Sequence, residues 1–159
     1  MIRLANVDDY NSLIDIFDLA KQYMRENGNP NQWLASYPGP NFIQEILDNK
    51  IYILEEDKVY ATFYLHIGED PTYHQIDGGW IRDKRPYTSL HRVASDGSRA
   101  GILNEIVLFA KKFGHDIRID THRDNKLMQE NILRNGFKYC GIIYLENGDE
   151  RLAYQYINN

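Results

Sequence analysis

The chain has 159 residues, 43% of them hydrophobic and 26% charged, with 18 Lys and Arg against 23 Asp and Glu for a net charge of −5. A single domain is expected at this length, since one domain takes ~100–200 residues, and the apolar content is too high for a disordered chain. The acidic balance excludes a nucleic-acid binder held by a broad basic face, although a few backbone amides and a cation still bind a phosphate on an acidic protein.

One cysteine, Cys140, can form neither an internal disulfide nor a Cys-rich zinc site. A cytoplasmic protein is therefore expected. Met1-Ile2-Arg3-Leu4 runs within a few residues into Asp8-Asp9, so no secretory leader is expected. The longest clean apolar run, Ile106-Val107-Leu108-Phe109-Ala110, falls far short of the ~20 residues a membrane span requires.

Residues 2–5 make a short apolar start, and Asn6 followed by acidic residues suits a helix N-terminus. Leu13, Ile16, Phe17, Ala20 and Met24 then form one helical stripe, ended by Gly28 and Pro30. Residues 29–40 read as a loop carrying Trp33 and Tyr37, and Phe42, Ile43, Ile46 and Leu47 as a second short helix. Runs at 51–55 and 59–67, joined by Glu56-Asp57-Lys58, predict a hairpin. The polar stretch 68–85, with Tyr73, His74 and Trp80, reads as part strand and part loop.

The second half is more specific. Residues 87–94 read as a strand, 95–101 as a loop of small residues, and 102–113 as a helix apolar on most faces and so well buried. Gly114 is its C-cap, and 117–121 is a further strand. A strand–loop–helix–strand unit favours parallel pairing through a right-handed crossover. Residues 125–135 predict a helix stopped by Gly136 with Phe137 packing behind it, and strands at 139–145 and 152–157 flank the turn signal Asn147-Gly148. With no repeat or linker, residues 1–159 read as one α/β domain with a mixed sheet.

This order carries Leu90-His91-Arg92-Val93-Ala94-Ser95, Gly97 to Ile102, Ile117-Arg118-Ile119-Asp120-Thr121, Asn125, and Asn135-Gly136-Phe137. Together they resemble the GNAT superfamily of acyl-CoA-dependent N-acyltransferases over nearly the whole chain. The resemblance implies a GNAT-like mixed, mostly antiparallel sheet flanked by helices, with a central strand–loop–helix–strand unit that binds coenzyme A. It implies an N-acetyltransferase moving an acetyl group from acetyl-CoA, as co-substrate and without a metal, to a primary amine of an unidentified acceptor by direct attack in a ternary complex. The pyrophosphate maps onto Ser98, Arg99, Ala100, Gly101, Ile102 and Leu103. The pantetheine arm maps onto Val93 and Ala94, whose amides suit polarisation of the thioester carbonyl, and onto Asn125, which also suits an N-cap.

The loop's own physics agrees, because a helix N-terminus with small residues lets amides approach an anion closely. It departs from the family pattern in three places. Aligned on Gly101, the final small position is Leu103, the earlier glycine falls near Arg99, and Asp96 brings a carboxylate close to the phosphates.

Many family members place a tyrosine acid where this chain has Ile132. Tyr139, Tyr144 and Cys140 are the nearest alternatives, with Cys140 also a conceivable acyl-carrying nucleophile. For a base, His91, Asp120 and His122 stand out. His91 shares a strand face with Val93, and Asp120 shares one with His122 at a strand's C-terminal end, where ligand sites gather. The bland alternative is a buried, hydrogen-bonded His91 and a bracing Asp120. Asp120 and His122 alone fall short of the ligands a zinc site needs. Trp33, Tyr37, Tyr73, His74, Asp77 and Trp80 suit an acceptor pocket, where aromatics and a carboxylate attract a cationic amine. Such aromatics equally form a plug or a homodimer contact. The missing tyrosine and irregular loop keep a second reading open, a non-catalytic acyl-CoA-binding or regulatory module.

Overall fold

The computed structural model describes residues 1–159 throughout. Its strands are β1 (Ile2–Leu4), β2 (Ile51–Glu55), β3 (Val59–Ile67), β4 (Asp77–Gly78), β5 (Tyr87–Ser95), β6 (Asp116–Thr121), β7 (Lys138–Tyr144) and β8 (Glu150–Tyr156). Its helices are α1 (Tyr10–Glu26), α2 (Phe42–Leu47), α3 (Ile102–Lys111) and α4 (Lys126–Arg134). The strands form one sheet in the order β1-β2-β3-β5-β6-β8-β7-β4. β5 and β6 pair in parallel, from Tyr87↔Asp116 to Leu90↔Ile119. The pairs β1–β2, β2–β3, β6–β8, β7–β8 and β4–β7 are antiparallel. This is the mixed, mostly antiparallel sheet flanked by helices that the resemblance implied.

The chain divides into two compact units, Met1–Leu65 with Arg92–Ile102, and His66–His91 with Leu103–Asn159. In the first, the stripe of α1 buries Leu13, Ile16 and Phe17 against Phe42, Ile46, Ile51 and Ile53. Asn6 caps the 3-10 turn Val7–Asp9 that leads into α1, accepting from the Asp8 amide while Asp9 accepts from the amide of Asn6. The loop before α2 leaves carbonyls that need donors, and two cations supply them. Lys21 Nζ donates to the carbonyls of Ala35 and Tyr37 at 2.8 Å each. Arg92 donates to the carbonyl of Pro38 at 3.1 Å and forks onto Glu45 at 2.7 and 2.8 Å. Arg92 also takes a φ of 55° within β5, a conformation that persists in a non-glycine residue only when its surroundings over-determine it.

In the second unit α3 buries Leu103, Ile106, Val107 and Ala110. It is less enclosed than its all-round apolar pattern implies, because Leu108 is 54% exposed. It ends at Lys111, earlier than expected, since Lys112, Phe113 and Gly114 bond three residues back and tighten into a turn. α4 ends as the sequence predicts. The Phe137 amide donates to the carbonyl of Ile132 and that of Gly136 to the carbonyl of Leu133, with Gly136 at φ 90°, the paired bonds of a Schellman end.

The segment after β3 contains a 3-10 turn, Pro71–Tyr73, and the two-residue β4. β4 approaches β7 so closely that a Cβ on Gly141 would stand 2.1 Å from the Asp77 carbonyl oxygen. Beyond β4, the amides of Ile81 and Arg82 donate to Gln155 Oε1 at 2.8 and 3.1 Å. The buried guanidinium of Arg118 lies between the rings of Trp80 and Tyr87, 4.0 and 3.8 Å from their centroids. No helix is long and apolar enough to cross a membrane.

Candidate active site

In the first unit, β5 leads into the loop expected to hold a diphosphate. Asp96 Oδ1 accepts from the Ser98 amide at 2.9 Å and from the Ser98 hydroxyl at 2.6 Å, and Oδ2 faces Lys58 Nζ at 3.4 Å. Burial opposes the charge on Asp96, but Ser98 and Lys58 outweigh it and hold the carboxyl below its usual range. The Asp96 carboxylate is thus a brace across the turn.

Gly97 and Gly101 take φ of 80° and 75°, and a Cβ at either would meet nothing within 4 Å. Glycine serves the backbone angle there, not a lack of space. Residues 97–101 are exposed and Leu103 is buried, so Leu103 offers a ligand only its backbone. Arg99 pairs with Glu56 and lies over the Tyr60 ring at 4.1 Å. Val93 is half-buried and Ala94 buried. Trp33 stacks on Tyr37 at 4.1 Å with planes 7° apart, and meets Phe17 edge-on.

In the second unit a polar cluster brings together three of the expected residues and one that was not expected. His91 Nε2 stands 2.7 Å from Asp70 Oδ2, and Nδ1 stands 3.4 Å from Asp120 Oδ1. The Tyr73 hydroxyl donates to the same Asp120 oxygen at 2.7 Å, and its ring stacks on that of His91 with centroids 5.4 Å apart. Burial disfavours the imidazolium, yet hydrogen bonds and charge from Asp120 and Asp70 prevail and raise its pKa to about 10. At neutral pH the ring carries both protons. For Asp70 burial again opposes the charge, and His91 and Thr72 overcome it to hold the carboxyl far below its usual range.

The remaining sequence candidates are placed elsewhere. His122 Nδ1 accepts from the Asp124 amide at 3.0 Å, and its carbonyl accepts from Gln129, so the ring braces the turn into α4. Burial first, then the charge of Arg151, lowers its pKa. Asn125 caps α4, accepting from the Met128 amide at 3.1 Å. Tyr144 donates to Asp77 at 2.5 Å on the exposed edge formed by β4 and β7. Trp80 is 9% exposed and donates to the carbonyl of Tyr73, packed in a core with Tyr73, Tyr87, Cys140 and Ile143. Ile132, at the family's tyrosine position, is wholly buried. No group of three or more His, Cys, Asp or Glu side chains is placed to hold a metal ion. Asp70 carries one local signal, since Asp-Pro-Thr marks an Asx-type turn. Its pairing with His91, 21 residues on, has none.

No protein-family model and no curated protein matches the chain. Among solved structures it is similar to a GNAT-family acetyltransferase from Streptococcus agalactiae, at 30% identity over 100% of this chain and 95% of that one, with a TM-score of 0.85. A GNAT-family acetyltransferase from Listeria monocytogenes matches at 22% identity over 99% and 94% of the two chains, TM-score 0.71. A ribosomal-protein-alanine N-acetyltransferase from Brucella melitensis shares the fold at 18% identity over 99% of each chain, TM-score 0.61. The fold is thus that of an acyl-transferring class of protein. The chain belongs to the GNAT superfamily of acetyltransferases.

Proposed function

We propose that this protein transfers an acetyl group from acetyl-CoA to a primary amine by direct attack in a ternary complex, with His91 as its proton donor. The observation that carries this reading is the His91 ring with a carboxylate at each nitrogen, two residues before Val93 on β5. A pKa of about 10 is that of a phenol, ~10, so His91 has the acidity of the tyrosine that Ile132 replaces. The exposed small residues Gly97, Ser98, Ala100 and Gly101 suit close approach of a diphosphate to loop amides. Asp96 opposes this only in part, because its oxygens are turned to Ser98 and Lys58.

When bound, acetyl-CoA supplies an activated acyl group. Residues Ser98, Arg99, Ala100, Gly101, Ile102 and Leu103 hold its phosphates, and the backbone of Val93 and Ala94 aligns the arm and polarises the carbonyl. As the attacking nitrogen forms its bond to carbon and the carbon–sulfur bond breaks, His91 gives the Nδ1 proton to sulfur. The proton lost from nitrogen restores the ring, so a neutral amine is turned over with no net proton consumed. His91 therefore donates to sulfur and then accepts from nitrogen, and His122 and Tyr144 serve local structure. Tyr73 orients Asp120 from a buried position, and Trp33 remains the aromatic candidate for the acceptor side. The same reading makes the chain a single cytoplasmic domain with Cys140 a reduced thiol.

Thiol release from acetyl-CoA with a panel of amines tests the proposal. His91→Gln is expected to lower kcat by about 10²–10⁴, the usual worth of a positioned acid, and full activity in that variant removes His91 from the mechanism. The buried Ile132 favours one alternative, a non-catalytic acyl-CoA-binding module. Tight calorimetric CoA binding with no thiol release from any amine selects it.

A further inference from the structure

We propose that Asp70 is a positioning residue that holds His91 as an imidazolium in one orientation, leaving the Nδ1 proton as the one that moves. The inference rests on the reading of His91 given above and adds a residue to it. Asp70 is itself fixed by two hydrogen bonds and by burial. Its Oδ1 accepts from the Thr72 amide at 3.0 Å, its own amide donates to the Tyr87 hydroxyl at 2.7 Å, and only 8% of it is exposed. Its remaining oxygen meets His91 Nε2 at 2.7 Å, within hydrogen-bond range, whereas the contact from Nδ1 to Asp120 is 3.4 Å.

The contrast assigns different work to the two nitrogens. A carboxylate accepts only, so a nitrogen facing one carries a proton. Carboxylates on both sides therefore demand both protons and disfavour a flipped ring. The shorter bond at Nε2 anchors the ring, and the longer one at Nδ1 leaves a proton that a departing thiolate can take. The groups facing the ring are Asp70 beside the turn Pro71–Tyr73, Asp120 on β6, and Tyr73, whose phenol donates to Asp120 and so shares that carboxylate with His91.

The test is a titration of the His91 ring by NMR in the full chain, with His91→Gln assigning the signal. Asp70→Asn keeps the shape and removes the charge, and should lower the titration midpoint by at least one pH unit. Asp70→Glu should restore most of that shift. Tyr87→Phe loosens the anchor without altering its charge and should move the midpoint less, in the same direction, and it stands in if Asp70→Asn does not fold. The basic limb of the thiol-release profile should move with the midpoint. A midpoint unchanged in Asp70→Asn, or in Tyr87→Phe where that variant stands in, overturns the proposal, as does an Asp70→Glu variant indistinguishable from Asp70→Asn. The titration needs no acetyl-CoA, so a shifted midpoint in a chain that turns over no amine supports Asp70's role and overturns the enzymatic reading alone.

Discussion

The hydroxyl of Tyr73 and the carboxylate of Asp120 meet at 2.7 Å across 47 residues of sequence, and the oxygen that accepts is the one facing Nδ1 of His91. A turn residue thus fixes a strand carboxylate, and both fix a histidine on the neighbouring strand. Tyr73→Phe removes this bond at a site only 2% exposed. A loss of about 1–3 kcal/mol is expected for a buried hydrogen bond to a charged group, read by urea denaturation. An unchanged midpoint would show that the bond contributes nothing to stability.

Stability should also depend on alkaline pH. An ordinary histidine protonates near 6.5, and folded His91 near 10, so the native state binds this proton more tightly than the unfolded chain. Its contribution is whole below about 6.5, declines as pH rises and is gone above about 10. Asp70 acts in the opposite direction. Its folded carboxyl lies below the usual 3.8, so its contribution is present above that value and is lost as acid is added. Melting temperatures from pH 6 to 10 should fall more steeply in the wild type than in His91→Gln.

At Gly101 the two costs of a side chain separate. Gly101→Ala meets no atom within 4 Å but must adopt φ near 75°, which costs about 1–2 kcal/mol of stability in a non-glycine residue. A larger loss, in CoA affinity by calorimetry, is expected if a phosphate approaches this backbone. Asp96→Asn, which keeps an acceptor for Ser98, should raise CoA affinity severalfold at low salt and less at high salt.

Restoring the family's tyrosine should fail. Ile132 has no exposed surface, so Ile132→Tyr overfills a packed site at about 1–3 kcal/mol and buries a hydroxyl. Lower melting temperature with no gain in thiol release is the expected result. A gain in rate would mean that the phenol finds its way out of the core and into the site.

The legible part of this protein was its local grammar. Gly136 followed by Phe137, the β-branched runs on either side of Glu56-Asp57-Lys58, and the small residues between β5 and α3 each express a short-range rule, and each element appears close to where that rule puts it. Boundaries slipped at the end of α3, where bonds three residues back tighten the chain, and at β8, which begins at Glu150 opposite Tyr144.

The site divided along the same line. His91 and Asp120 were visible as residues able to move a proton, because their types and strand positions are written in the chain. The protonation of His91 was not, since it is set by Asp70, 21 residues before it, and by Asp120 on the neighbouring strand. Alternation decides which face of a strand a side chain occupies. Which charges arrive on that face depends on how distant segments pack, and at a few ångströms those charges decide whether a buried ring gives up a proton or accepts one.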